Sequence, residues 1–245
     1  MDQWPLFLAV AFVAEVIGTM AGFGAATILT PVAALFMDMK IAIAVVTCFH
    51  LSGNLSRLMF FGKATHWRTV WQFGVPGVLF SLLGAHVTGG LPSALVTLLF
   101  GLFLLGFVGV SVSAGAAASL PKAPATLIGG GALSGVIAGL LGTGGAIRSA
   151  CLLAFGLPKE AYLGTSAVLA LFVDSTRLPV YVSEGLLPRA MWPVLGGLIP
   201  VAWLGAWTGQ RLVRRVSPEG FRRFVLAMLA LMGLRMAWEG WHGLA

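Results

Sequence analysis

Apolar stretches long enough to cross a membrane recur along the whole chain, and they limit the fold more than any other feature. Residues 91–114 and 221–241 are two examples. A helix of about 20 residues spans the roughly 30 Å hydrocarbon core of a bilayer. The stretches lack the alternation of apolar and polar residues that barrel strands show. The sequence therefore predicts an all-α, polytopic membrane protein with the lipid bilayer as its main partner.

Composition excludes other classes of protein. Hydrophobic residues make up 58% and charged residues 9% of the 245 residues, which leaves too little polar surface for a soluble domain. The net charge of +7 is compatible with nucleic-acid binding. However, the Lys and Arg residues lie at the ends of apolar stretches, where they act as topology signals, and not in one patch with aromatic residues. We therefore expect no nucleic-acid partner.

Metal, cofactor and catalytic signatures are absent from the sequence. The four histidines are scattered, and Cys48 and Cys151 each lie inside an apolar stretch. No P-loop, Gly-x-Ser-x-Gly or His-Glu-x-x-His motif occurs. We predict no metal site, no cofactor and no catalytic residue, so an enzyme is not expected.

An internal repeat is visible in the polar residues. Asn54 and Arg57 return as Asp174 and Arg177, and the offset between the two arginines is 120 residues. At the same offset, glycine-rich segments occur in both halves of the chain. Co-linear matches of this kind are typical of transporters built from two copies of one unit.

Each predicted repeat has the same order of segments, a long apolar segment broken by glycines and then three ordinary spans. In the first repeat, 1–118, we predict them at 6–36, 41–61, 70–90 and 93–115. In the second repeat, 119–245, we predict them at 125–156, 160–182, 190–212 and 219–241. The proline-containing segment 121–124 is the predicted linker.

The basic residues distinguish two ways of threading the broken segments. If each segment crosses the membrane once, the chain has eight spans, and the basic residues other than Arg148, which lies inside a segment, divide seven against seven. If each enters and leaves on one side as a helical hairpin, the division becomes ten against four. The positive-inside rule favours the hairpins. Each repeat then has three full spans, so the two repeats are inverted and both termini lie outside.

The glycine breaks predict a binding site near the middle of the membrane. Irregular backbone at that depth needs shielding by protein or by a water-filled cavity. A helix that restarts after a glycine turn directs N–H groups and its positive dipole end at the break, which suits an anion. Alternatively, the glycines only allow close helix packing. The expected binding residues are Gly22, Phe23, Gly24, Ala25 and Thr27 in the first repeat, and Gly142, Thr143, Gly144 and Gly145 in the second.

Arg148 lies about one turn into the second restarted helix, in an otherwise apolar run. An unpaired charge at this depth is costly, so a function is the default interpretation. Three interpretations remain open. Arg148 binds a small anion, it pairs with Asp174 or Glu15, or its side chain extends to the membrane surface. Its planar guanidinium suits two oxygens of a carboxylate, sulfonate or sulfite group.

The repeated polar pairs are further candidates for the binding site. Asn54 with Arg57, and Asp174 with Arg177, lie three residues apart, so each pair shares one helix face. We predict that both faces line the cavity. A local ion pair between Asp174 and Arg177 fits the spacing equally well.

Two hydroxyl side chains and three titratable side chains are the remaining candidates for substrate binding and proton coupling. Thr165 and Ser166 are predicted either to contact the substrate or to bond to backbone. Glu15, His50 and Asp174 are the titrating groups predicted inside spans, and each is a candidate carrier of a coupling proton.

Two motifs resemble those of a known family. The stretches GFGAATILTP at 22–31 and GLLGTGGAIRSACLLAFGL at 139–157, followed by GTS at 164–166, resemble the paired motifs of the TauE/SafE family of bacterial permeases. The resemblance spans nearly the whole chain. It implies a multi-pass protein of the bacterial inner membrane that exports sulfite, sulfoacetate or a related sulfur-containing anion. Arg148 departs from the family pattern, in which an apolar residue is common at this position.

Three hypotheses for the function follow. The first is a secondary transporter, an exporter of a small sulfur-containing anion, a carboxylate or another small anion, which is held between two helix N-termini and moved by alternating access. H⁺ or Na⁺ coupling and a homodimer are compatible with it. The second is a membrane receptor or assembly subunit in which the breaks serve packing alone. The third, an intramembrane enzyme using Cys151 or a carboxylate, lacks a base beside the thiol in sequence.

Overall fold

A computed structural model describes residues 3–21, 24–113, 120–212 and 218–244. These residues form ten α-helices and two short 3₁₀ turns, and no strand occurs among them. The helices are α1 (Trp4–Ala21), α2 (Ala26–Ala33), α3 (Met39–Phe61), α4 (Trp67–Gly90), α5 (Ser93–Ser113), α6 (Pro124–Leu141), α7 (Gly145–Ala154), α8 (Lys159–Ser183), α9 (Trp192–Leu212) and α10 (Pro218–His242).

Six apolar segments in the described part of the chain are long enough to cross a membrane. They are Met39–Met59, Trp67–Gly90, Ser93–Ser113, Pro124–Leu141, Arg189–Leu212 and Arg222–His242. The prediction of an all-α, polytopic membrane protein is therefore confirmed. Helix α8 is not among the six, because polar residues that include Asp174 and Arg177 lower its hydropathy.

Local sequence explains several helix boundaries. Asp38 caps α3, since its side chain accepts a hydrogen bond of 2.9 Å from the backbone N–H of Lys40. Pro124 occupies the first turn of α6, where its missing N–H costs nothing. Helix α6 ends at Gly142, whose φ of 77° lies in the left-handed region that glycine adopts readily. Gly24, just before α2, has a φ of 88° in the same region.

Glycines allow α4 and α6 to pack side by side in the same direction. Gly135 of α6 lies against the backbone of Gly77, and Gly139 lies against the backbone of Ser81. A Cβ atom at either position would collide with α4. Close approach of this kind is the usual basis of helix association in lipid, where the hydrophobic effect does not drive it.

Helices α1 and α9 pack in the same manner. Gly205 of α9 lies against Glu15 of α1, and Gly209 lies against Thr19. The residue numbers rise together along both helices, so this pair is also parallel. In each half of the chain, the first helix (α1 or α6) therefore makes a glycine-lined contact with the fourth helix of the other half (α9 or α4).

Two other helix pairs between the halves are antiparallel. In α3 and α8, His50 contacts Asp174 while Phe61, eleven residues further on, contacts Gly164, ten residues earlier. In α5 and α10, the pairs in contact are Leu98 with Gly240 and Leu104 with Gly233. As the numbers rise along α3 and α5, they fall along α8 and α10.

Each broken segment returns toward the end at which it started. Phe36, which follows α2, packs on Phe7 near the start of α1 with ring centroids 5.3 Å apart. In the other half, Cys151 of α7 lies against Gly130 in the first part of α6. Helices α2 and α7 therefore run back along α1 and α6.

The buried core is concentrated on the central helices. In the hydrophobic segment of α3, 67% of the residues are buried, whereas 22% are buried in α5. Ala42, Ile43, Ala44, Val45 and Val46 of α3 are all fully buried. Large apolar side chains on the outer helices are exposed, as expected for a surface that faces lipid.

Candidate functional site

A cavity of about 360 Å³ extends from the surface near the start of α8 to the protein interior. Exposed Lys159 and Glu160 lie at its outer end. Arg148, which is only 6% exposed, lines the cavity from inside. The cavity is also lined by Gly24, Asn54, Arg57, Tyr162, Ser166 and Gln210.

Arg148 is held in place by the start of α7 and by α8. Its backbone N–H donates a hydrogen bond of 3.1 Å to the carbonyl of Gly144, the residue that precedes α7. Its side-chain Nε donates a hydrogen bond of 3.0 Å to Ser166 Oγ. Gly144, the N-cap residue of α7, has no side chain, so no side-chain oxygen caps this N-terminus.

The guanidinium of Arg148 has no acidic partner among the described residues. Neither of its two terminal nitrogens makes a hydrogen bond within that part of the chain. Of the interpretations left open by the sequence, pairing with Glu15 or Asp174 is not observed, because both carboxylates pair with other arginines. The side chain does not reach the surface either, since it is buried.

In the first half of the chain, Glu15 forms a buried ion pair with Arg57. Arg57 Nη2 donates to Glu15 Oε1 and also to Thr19 Oγ1, at 2.7 Å. Arg57 Nη1 donates to Asn54 Oδ1 at 3.0 Å, and Asn54 Nδ2 donates to the carbonyl of His50 at 2.8 Å. Asn54 and Arg57 line the cavity, but the charge of Arg57 is already balanced by Glu15.

In the second half, Asp174 and Arg177 form the corresponding ion pair. Arg177 donates through Nε and Nη2 to Asp174 Oδ1, at 3.0 and 2.8 Å. It also donates to the carbonyls of Ala138 and Gly142, at the end of α6. The local ion pair that the spacing allowed is therefore present. Arg177 additionally anchors α8 to the second break.

His50 belongs to the same network. Its Nδ1 lies 2.8 Å from Asp174 Oδ2, the carboxylate oxygen that Arg177 does not contact. Its other ring nitrogen, Nε2, is buried and has no hydrogen-bond partner in the described chain. Nε2 faces the backbone of Gly24, where a Cβ atom would lie 2.6 Å from it.

A second, much smaller cavity lies beside the first. Its volume of about 10 Å³ accommodates no more than a single water molecule. Arg148 lines both cavities, while His50, Asp174 and Arg177 line only the smaller one. Arg148 and two of the three titrating candidates, His50 and Asp174, therefore line one water-sized space.

The two glycine breaks contact each other directly. Thr27 in the first turn of α2 and Thr143 between α6 and α7 are both fully buried or nearly so, and their hydroxyl oxygens lie 2.6 Å apart. Gly142 lies against Ile43, and Gly144 and Gly145 line the smaller cavity.

The remaining predicted break residues have different positions. Gly24 lines the larger cavity, and Ala25 is buried beside it. Gly22 and Phe23 lie outside the residues that the structure describes. The breaks thus converge, and the second contributes more of the described lining.

Thr165 and Ser166, two residues for which the sequence left two roles open, have different surroundings. Thr165 Oγ1 accepts a hydrogen bond of 2.9 Å from the backbone N–H of His66, and Thr165 lines neither cavity. It therefore bonds to backbone at the start of α4 and does not face the proposed ligand space. Ser166, one residue on, faces the cavity and positions Arg148.

Sequence reasoning missed Tyr162 and Gln210. Tyr162 lines the larger cavity and donates a hydrogen bond of 2.9 Å to Ser149 Oγ. The only sequence signal for it was a polar ring placed four residues before Ser166, on the same face of α8. Gln210 near the end of α9 had no such signal, since its position depends on the packing of α9 on α1.

Comparison with known proteins agrees with this membrane architecture. The family described as "Sulfite exporter TauE/SafE" matches residues 7–236 of the chain. A similar protein is "Sulfite exporter TauE/SafE family protein 3" of Arabidopsis thaliana, which is 33% identical over 104 residues. That match covers 42% of this chain and 21% of the plant protein, so the chain aligns with about a fifth of its relative's length. No solved structure matches the chain. Because the family match covers nearly the whole sequence, the chain belongs to the sulfite exporter TauE/SafE family.

Proposed function

We propose that this protein is a secondary transporter, with export as the expected direction, for a small sulfur-containing anion such as sulfite or a short organosulfonate like sulfoacetate. One observation supports this more than any other. Arg148 places a buried guanidinium, without an acidic partner in the described chain, at the inner end of a cavity of about 360 Å³. A cation at this depth is costly unless a ligand compensates it, so an anion is the natural occupant.

The chemistry of Arg148 favours an oxyanion with two or more equivalent oxygens. Nε is engaged by Ser166, which leaves the two terminal nitrogens available for a ligand. A planar guanidinium donates two parallel hydrogen bonds to the oxygens of a sulfonate, sulfite or carboxylate group. The first turn of α7 adds its positive dipole end from the same side. The family membership is what favours sulfur over carboxylate.

The net charge of the residues that line the cavity also favours an anion as the ligand. Arg57 is neutralised by Glu15, and Lys159 at the outer end is accompanied by Glu160. Arg148 is then the uncompensated charge among the described lining residues, so the potential inside is positive. A cavity with this potential attracts anions and excludes cations.

Helix directions support two inverted repeats that move against each other. If α3 corresponds to α8 and α5 corresponds to α10, the corresponding helices are antiparallel, as inversion requires. The returns of α2 and α7 support hairpins that enter and leave on one side. In transporters of this plan, the substrate lies at the repeat interface and the halves rock about it.

The positive-inside rule gives the proposed orientation in a bacterial inner membrane. Lys63, Arg68, Lys122 and Lys159 lie at the helix ends on the side where the larger cavity opens. We therefore assign that side to the cytoplasm. With this assignment, the structure is an inward-facing state, in which an anion from the cytoplasm has access to Arg148.

Flux into proteoliposomes tests the proposed function. Purified protein is reconstituted, and uptake of radiolabelled sulfite, sulfoacetate and acetate is measured with imposed proton, sodium and potential gradients. We expect flux of at least one sulfur oxyanion that the unlabelled compound inhibits. Selective flux of acetate would instead favour a carboxylate permease. No flux of any of the three under any gradient would contradict transport and favour a receptor or assembly role.

A further inference from the structure

The polar groups that the proposed anion site does not use are concentrated around His50. Its imidazole is 4% exposed and lies at the contact of α3, α8 and the first glycine break. Nδ1 is engaged by Asp174, while Nε2 has no partner in the described chain. A buried ring nitrogen without a partner is costly, and such groups in membrane proteins are commonly functional.

We propose that His50 is a proton-binding site whose occupancy is linked to the anion held by Arg148, so that the anion and a proton move together. This inference rests on the proposed function. It assigns the coupling ion that the sequence left open and selects one of three titrating candidates.

The contacts of His50 are compatible with both a neutral and a protonated imidazole. Asp174 Oδ2 accepts from Nδ1, while Arg177 binds only the other oxygen, Oδ1. With neutral His50, the carboxylate is balanced by Arg177. A proton added at Nε2 creates a net positive charge beside the small cavity, and Asp174 lies close enough to stabilise it.

The charges around His50 come from several elements. Helices α2 and α5 carry no titratable side chain. Helix α9 carries only Arg211, at the end near the outer part of the larger cavity. The charged groups that face the centre are Glu15 of α1, Arg57 of α3, Arg148 of α7, and Asp174 and Arg177 of α8. Two of the three arginines are paired with carboxylates, so the added proton and Arg148 are the two unbalanced positive charges.

Linkage follows from the shared space. His50 and Arg148 both line the cavity of about 10 Å³, which holds no more than one water molecule. Two positive charges that line the same small buried cavity repel each other, and a bound anion relieves that repulsion. The anion therefore raises the affinity of His50 for a proton, and by reciprocity the proton raises the affinity for the anion.

Glu15 and Asp174 are less suited to the same role. Both accept hydrogen bonds from an arginine, and protonation would leave that arginine without its counterion. Glu15 Oε2 is buried and unpartnered in the described chain, but Glu15 does not line the small cavity. A proton there would be separated from the anion by the Arg57 network.

Methanesulfonate is the probe for the test, because its charge stays constant over the range in which histidine titrates, whereas sulfite itself changes protonation. Binding to the purified protein and proton movement in pyranine-loaded proteoliposomes are measured at about pH 5.5 and about pH 8. We expect binding about tenfold tighter at the lower pH, together with inward proton movement during methanesulfonate uptake. His50→Gln should abolish both effects and leave binding near the high-pH affinity.

His86→Gln is the matched control, since His86 is exposed and lies at the far end of α4. It should retain the full pH dependence. Methanesulfonate flux in the unsubstituted protein without proton movement would overturn the inference but not transport. Retained pH dependence in His50→Gln would overturn it as well. Absence of any methanesulfonate binding or flux in the unsubstituted protein would overturn both the inference and the proposed function for sulfonates.

A second measurement leaves His50 in place, in case His50→Gln does not fold. His66, His86 and His242 are exposed, so their combined replacement by Gln leaves His50 as the one histidine. The ¹⁵N signals of its imidazole report protonation directly. We expect methanesulfonate to increase the protonated fraction at about pH 7. An unchanged fraction on saturation with methanesulfonate would overturn the inference.

Discussion

Thr27 and Thr143 share a buried hydrogen bond of 2.6 Å, although 116 residues separate them in sequence. Thr27 lies in the first turn of α2, and Thr143 lies between α6 and α7. The bond joins the two glycine breaks beside the cavities. Any movement that separates the two breaks has to open this hydrogen bond.

Thr143→Val should destabilise the protein by about 1–3 kcal/mol, because it leaves the Thr27 hydroxyl buried without its partner. Thr27→Val should cost a similar amount. The double variant should be more stable than the sum of the two effects predicts, since no hydroxyl is then left unpaired. Unfolding in denaturant measures all three, and strictly additive effects would show that the bond contributes nothing.

Arg57→Met should destabilise the protein by about 3–5 kcal/mol, because Glu15 would remain as an uncompensated buried charge. Adding Glu15→Gln should recover much of the loss. The matched control is Arg235→Met, which breaks an exposed ion pair with Glu239 and should change stability by less than about 1 kcal/mol. Thermal unfolding in detergent compares them. Equal losses of stability in Arg57→Met and Arg235→Met would contradict the claim that burial makes the Arg57–Glu15 pair more important.

Gly139→Ala should lower stability by about 1–3 kcal/mol, because its Cβ would collide with the backbone of α4 at Ser81. Gly129→Ala, on the same helix, meets nothing within 4 Å and should be neutral or slightly stabilising. The temperature of aggregation in detergent distinguishes the two. If both variants behave alike, α4 and α6 do not pack as described.

Cysteine labelling should place the two ends of the bundle on opposite sides of the membrane. In a Cys48→Ala, Cys151→Ala background, Lys63→Cys should react with a membrane-impermeant maleimide only after the cytoplasm is opened. His242→Cys should react in intact spheroplasts, because the inverted topology puts both termini outside. Both positions are exposed, so access is not limited by burial. Labelling from the same side would exclude the hairpin topology.

Much of the fold could be predicted from the sequence, because a bilayer imposes a simple length and polarity rule on its spans. The all-α architecture follows from the apolar stretches alone. The glycine breaks could also be recognised, because glycine clusters mark points where the chain needs a conformation that few other residues tolerate. Gly24 and Gly142 do adopt positive φ angles. The inversion of the repeats stays a prediction that the helix directions support.

The site was harder to predict, because its contacts join residues that are distant in sequence. Arg148 could be singled out, since a lone charge in an apolar run needs an explanation. Its lack of a carboxylate partner could not. The local pair of Asp174 with Arg177 was one of the expected alternatives, but the pairing of Glu15 with Arg57, 42 residues away, and the contact of His50 with Asp174, 124 residues away, were not. Such pairings are set by helix packing, which local patterns do not encode.

The anion site at Arg148 is tested most directly by measuring sulfite and sulfoacetate affinity of Arg148→Met in detergent, with thermal stabilisation as the readout. Arg235→Met serves as the control for loss of a positive charge elsewhere. We predict that Arg148→Met folds but binds at least about tenfold more weakly, as expected from the loss of hydrogen bonds to a charged group. Unchanged affinity in Arg148→Met would contradict the proposed site.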